Sequence, residues 1–182
     1  VGSEMCIRDS WSTGSYLECQ DFWRISGIER DVFLYSQPKA ALKDFRVTST
    51  LDDTYKDGIF KLGVDLRNNG STAGNMTLVY ELLDANGKVV ATGEKATNVA
   101  AGETRTMSFD QTLPDVKTWT SEAPNLYKLV MTVKENGKVN EIIPFNVGFR
   151  RIEIKPTEQL ARNGKPYVCL LSLIHISEPT RH

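Results

Sequence analysis

Residues 14–35 hold the densest mixture of chemically capable side chains in the chain. Cys19 lies close to Trp23, and Glu18, Asp21, Arg24, Glu29, Arg30 and Asp31 are threaded among Tyr16, Leu17, Phe22, Trp23, Ile25 and Ile28. A simple core strand does not set so many charges beside such large apolar groups. Either some of these charges are buried and paired or line a pocket, or the stretch is an irregular loop whose aromatics pack while its charges face water. Asp52 and Asp53 form a second acidic pair, beside Asp57-Gly58. Adjacent on a turn, they point their carboxylates apart and into water, the ordinary use of aspartate in turns. Asp57 could add an oxygen to a calcium-like cluster, but no EF-hand spacing follows in register. Imidazole chemistry has no candidate in the body of the chain, because both histidines, His175 and His182, fall in the last eight residues. Cys6, Cys19 and Cys169 are odd in number and far apart, matching neither a disulfide framework nor a zinc-ligand spacing.

What must position these groups is a chain of one-domain length, 182 residues. Its 40% apolar content suffices for a core, and its 22 basic and 23 acidic residues nearly cancel. No basic stripe argues for nucleic acid, and no apolar run approaches the roughly 18 residues of a membrane span.

From residue 38 onward the apolar pattern has period two. Phe45 and Val47 alternate with polar neighbours, as do Phe60, Leu62, Val64 and Leu66, and then Met76, Leu78, Tyr80 and Leu82. Each run puts its large apolar groups on one face, as a half-buried antiparallel strand requires. Residues 88–91, 103–111 (with Met107 and Phe109 inward), 127–133 and 143–149 complete the set. Asp57-Gly58, Asn69-Gly70, Asn86-Gly87 and Asn136-Gly137 supply the positive-φ positions of tight turns. About seven short strands over roughly 110 residues is the pattern of an immunoglobulin-like sandwich. The fold class is therefore all-β, an immunoglobulin-like antiparallel β-sandwich with truncated flanking segments. Residues 31–36 read as a short buried strand, closed by a boundary at Gln37-Pro38. In residues 116–127, Trp119 plugs a corner that Pro124 fixes, and Glu122 could bond backbone amides near the turn. After Phe149 the apolar parity flips to Ile152 and Ile154, so the chain leaves the sandwich near residues 148–151.

Three of these stretches share one likeness. Glu18-Cys-Gln-Asp21-Phe-Trp-Arg24-Ile-Ser-Gly-Ile28, then Trp119-x-x-Glu122-x-Pro124-x-Leu126-Tyr127, then residues 147–154 followed by 160–167 resemble, in order, parts of family 2 glycoside hydrolases. The wording of the first is most similar to the β-galactosidases. Cys19 and Glu29 depart from the acid and the aromatic that this family often has there. The resemblance implies five segments. Residues 11–37 would end a jelly-roll sugar-binding domain, 38–149 form the sandwich, and 150–168 begin a catalytic (β/α)8 barrel, with Asn163-Gly164 turning a small hairpin beneath it. Residues 1–10 and 169–182 fit neither neighbour and resemble translated sequencing-adapter DNA.

The same resemblance implies a parent that hydrolyses terminal β-D-galactosides with retention. Such chemistry needs two carboxyl groups about 5 Å apart, which in the family are barrel glutamates beyond Val168. The expectation is that the chain alone is inactive. Asp21 matches the family's loop aspartate that helps hold the galactosyl group and a sodium ion, making it the candidate substrate-binding and metal residue. Sodium and magnesium are implied for the complete enzyme, as is a homo-oligomeric parent, with neither nucleic acid nor membrane as partner. The sequence gives no compartment. The rival reading is a free-standing carbohydrate-binding or spacer sandwich; within the family, β-glucuronidase and β-mannosidase are the alternatives. Trp23 is expected to pack, Arg24 to pair with Glu18 or Asp31, and the aromatic face of residues 11–35 to be partly exposed.

Overall fold

The computed structural model of the chain describes residue 28, residues 30–154, residue 156 and residues 160–166. The chain divides into two compact units, Val1–Ser36 and Gln37–His182. In the first, the described residues from 30 to 36 are irregular, and Val32, Phe33, Leu34 and Tyr35 are all exposed. The buried strand expected over residues 31–36 is therefore corrected. A strand persists only with a ladder to pair into, and these residues pair with no described strand.

The second unit contains no helix among its described residues. Seven strands form the sandwich: β1 (Ala40–Leu51), β2 (Gly58–Asn68), β3 (Gly74–Leu83), β4 (Val89–Val99), β5 (Thr104–Leu113), β6 (Tyr127–Glu135) and β7 (Lys138–Val147). One sheet runs β1-β2-β5 and the other β4-β3-β6-β7, with every neighbouring pair antiparallel. The period-two runs are the reason. Phe60, Leu62, Val64 and Leu66 from β2 meet Met76, Leu78, Tyr80 and Leu82 from β3, all buried, and Leu129, Met131 and Val133 from β6 join them. The Tyr80 ring lies 5.6 Å from Phe60 and 5.0 Å from Phe109, so one side chain touches two strands of the opposite sheet. Its hydroxyl donates to Gln111 Oε1 at 2.8 Å, and burial raises its pKa.

The flanking strands depart from the simple pattern. A register shift between Leu42 and Asp44 leaves Phe45 and Val47 only half buried at the sheet edge. Phe145 is exposed as well, and its ring packs edge-on to Phe45 at 5.2 Å. The inward run expected over 143–149 thus holds only for Val147 and Phe149, with Ile143 packed at the margin. An edge strand is covered by one neighbour, so fewer of its side chains are enclosed. β7 is such an edge, with Pro144 opposite Val130 of β6.

Among the expected turn glycines, Gly87 and Gly137 do have positive φ, whereas Gly58 and Gly70 do not. Gly58 answers a different demand. A Cβ there would sit 2.8 Å from the Phe149 ring and from Val116, so the position is reserved for close approach.

Asn68 is the one buried polar residue among those described. Its amide nitrogen donates to the carbonyls of Thr72 and Val99, and its Oδ1 accepts from the Gly70 N–H. Asn68→Ala strands these backbone groups and is expected to lower stability by about 2–3 kcal/mol. A drop in the urea midpoint at constant m-value is the check.

Candidate functional site

Below the sandwich the chain leaves β7 at Val147 and builds a separate small sheet: β8 (Ile152–Ile154), β9 (Leu160–Arg162) and β10 (Lys165–Pro166), in the order β10-β9-β8. Asn163 and Gly164 turn β9 into β10 with φ of 49° and 76°, the positive-φ pair expected of a tight hairpin turn. The parity flip after Phe149 is visible in this change of sheet. Strands of two and three residues cannot stand alone, and a cluster of polar contacts seats them.

Asn163 anchors one side. Its N–H donates to the Arg151 carbonyl at 2.8 Å, its Oδ1 accepts from the Arg151 N–H at 2.9 Å, and its Nδ2 donates to the Trp119 carbonyl at 3.2 Å. Arg162 reaches the 116–126 segment, donating to Ser121 Oγ and to Glu122 Oε2, each at 3.0 Å. Glu122 thus pairs with an arginine side chain, beyond the backbone capping read from sequence. The Ser121 hydroxyl, followed by further hydrogen bonds and the Arg162 charge, lowers its pKa. Trp119 is half buried, with the guanidinium of Arg150 4.8 Å and that of Arg162 6.0 Å from its ring. It caps the corner as expected, with a cation over its ring.

The β1–β2 loop supplies the other side. Asp52 acts as a turn former: its Oδ1 accepts the N–H groups of Lys56 and Asp57 at 3.0 Å, and its Oδ2 accepts the Thr54 hydroxyl. The Thr54 bond is the main cause of its lowered pKa. Asp53 faces water as expected, its side chain 96% exposed, and from there it also pairs with Arg151 at 2.7 Å; Arg151 meets Glu153 at 3.1 Å as well. The bond to Asp53 raises the Arg151 pKa. The Tyr55 hydroxyl donates to Glu153 Oε1, and this bond, ahead of burial and the glutamate charge, raises the tyrosine pKa. Asp57 accepts the Asp115 N–H at 3.0 Å.

Tyr55, Thr120, Glu122, Arg162 and Asn163 line a recess of about 510 Å³. A second groove of about 580 Å³ lies between the β3–β4 turn and residues 113–117. The aromatic ring lining it belongs to Tyr127, which is buried and whose hydroxyl accepts the Lys117 N–H. No open ring face is offered there for a sugar to stack on.

Asp21 lies outside the described residues, as do Cys19, Trp23 and Arg24. Among the described residues no three His, Cys, Asp or Glu side chains gather to hold a metal ion. Sequence reasoning missed Tyr55, Arg151 and Glu153 as a group. The only local hint is the acid-rich turn around Tyr55, which says nothing about residues nearly a hundred positions away.

A two-sheet sandwich leading into a small supporting hairpin is a domain arrangement with known relatives. Residues 40–150 match the family model for Glycosyl hydrolases family 2, and the chain belongs to that family. Its curated relatives include a β-galactosidase of Priestia megaterium, 40% identical over 160 residues, covering 87% of this chain and 15% of the relative. A β-galactosidase of Halalkalibacterium halodurans is 40% identical over 158 residues, covering 86% and 15%. The chain thus spans about 15% of the length of these relatives. Among solved structures, a glycosyl hydrolase family 2 member from Bacteroides cellulosilyticus superposes with a TM-score of 0.65 at 20% identity, over 71% of this chain and 17% of that one. At that identity the likeness is one of fold.

Proposed function

We propose that this chain is an internal portion of a retaining β-galactosidase that hydrolyses terminal β-D-galactosides. In this reading residues 11–37 end the sugar-binding domain, 38–149 are the sandwich, 150–168 begin the catalytic barrel, and 1–10 and 169–182 are adapter-derived tails. The observation that carries it is the 40% identity to a β-galactosidase across 87% of the chain. The β-glucuronidase of Bacteroides uniformis is similar in fold, with a TM-score of 0.61, but at 20% identity. The support for a galactosidase over a glucuronidase is the naming of the curated relatives as β-galactosidases.

Within this reading Asp21 reaches the active site and contacts the galactosyl group or a sodium ion. The catalytic carboxyl pair comes from the barrel, and the parent is a homo-oligomer that also uses magnesium. The described residues act as the support from which that barrel starts.

The test is to recover the reading frame on both sides of these codons and express the complete chain. Nitrophenyl β-D-galactoside is expected to be hydrolysed at least about 100-fold faster than the glucuronide or mannoside, a margin set by hydrogen bonds to specific sugar hydroxyls. Preference for the glucuronide or mannoside would overturn the substrate assignment. The 182-residue chain alone, made in a host lacking its own enzyme, is expected to give no turnover above blank; turnover would overturn the placing of the catalytic pair in the barrel.

A further inference from the structure

Tyr55 is the outlier of the β1–β2 loop. Its φ of 59° is unusual for a bulky residue. Asp52 holds it there, accepting the Tyr55 N–H on its carbonyl at 3.2 Å and the next two N–H groups on its carboxylate. A strained backbone that its surroundings enforce marks a position where a side chain must be aimed.

The aim is visible. The ring packs at the margin of the sandwich core. It also lies against Gly164 at the tip of the β9–β10 turn, where a Cβ would stand 2.8 Å from the Tyr55 ring. The hydroxyl binds Glu153 in β8, and the guanidinium of Arg151, tied to Asp53 in the same loop, sits 5.5 Å from the ring. One side chain therefore touches the core, the first strand of the hairpin and its turn. The other anchors of the hairpin, Asn163 and Arg162, reach residues 119–122 and Arg151. The loop around Tyr55 ties the hairpin and the residue before it to the β1-β2-β5 sheet, through the hydrogen bonds of Tyr55 to Glu153 and of Arg151 to Asp53.

We propose that Tyr55 is a positioning residue, a clasp that fixes the β8–β10 hairpin on the sandwich through its hydroxyl to Glu153 and its ring on Gly164. The hairpin strands are too short to hold their own geometry, so their order depends on such contacts. Any effect on catalysis rests on the reading that this hairpin opens the barrel; the clasp itself does not.

Hydrogen exchange read by mass spectrometry on the 182-residue chain tests the clasp. Tyr55→Phe keeps the ring and removes the hydroxyl. It is expected to speed exchange in residues 152–166 about tenfold while β2, β3 and β6 exchange as before. Glu153→Gln keeps an acceptor for the hydroxyl and should retain most of the protection. Unchanged exchange in Tyr55→Phe overturns the clasp. So does faster exchange throughout the sandwich, which would make Tyr55 a core residue only. In the complete enzyme Tyr55→Phe is expected to lower kcat about tenfold with KM little changed. A complete enzyme that ignores galactosides defeats the functional reading and leaves the exchange result to decide the clasp.

Discussion

Phe149→Ala is expected to lower the unfolding free energy by about 3–5 kcal/mol, a large part of what a domain of this size has to lose. Phe149 is fully buried although it lies beyond the last strand of the sandwich. Its ring meets Tyr127 edge-on at 5.2 Å and 88°, and Gly58 is kept free of a side chain to admit it. Its carbonyl accepts the Trp119 N–H at 2.8 Å, and a bridge joins it to Thr118. The residue thus closes the bottom of the core and fixes where the chain turns toward β8. The cavity left by alanine cannot collapse easily, because β2 on one side and β6 on the other are held in their ladders. Denaturant unfolding gives the value. Phe145→Ala is the control: exposed at the edge, it should cost no more than about 1 kcal/mol. Equal losses at the two positions would show that the ring beyond β7 is not the floor of the core.

The second large effect concerns Asp21. In the complete enzyme Asp21→Asn is expected to lower kcat/KM for a chromogenic galactoside at least about 100-fold, with the melting temperature shifted by no more than about 2 °C. Asparagine keeps the shape and removes the charge, so a carboxylate that holds a sugar hydroxyl or a sodium ion is lost without disturbing packing. If the carboxylate acts by holding sodium, raising sodium should restore part of the activity by mass action; if it holds the sugar hydroxyl directly, raising sodium should restore none. Kinetics equal to the unsubstituted enzyme would reduce Asp21 to a loop carboxylate.

The central strands were legible in the sequence because burial on one face leaves a strict alternation. Phe60, Leu62, Val64 and Leu66 are each no more than 1% exposed. β4 was readable only over 88–91, yet it runs to Val99. As an edge strand it buries only Ala91 and Val99, so residues 92–98 carry almost no apolar signal. Residues 31–36 failed the other way. Their apolar run reads as a buried strand, but pattern cannot supply the neighbour on which a strand depends. The support cluster was illegible for a simpler reason. Asp53 and Arg151, or Tyr55 and Glu153, are 98 positions apart, and the attraction between such groups leaves no local periodicity. Asp21 came from wording shared with a family, not from any geometry.

Pro144 has a bearing on how the molecule meets its neighbours. It stands within β7, at the open side of the four-stranded sheet, and brings no N–H to that margin. A passing strand that tried to extend the sheet would find the row of donors broken there. Crowded, partly folded copies therefore have a poor template along this border for the cross-strand stacking that leads to fibres.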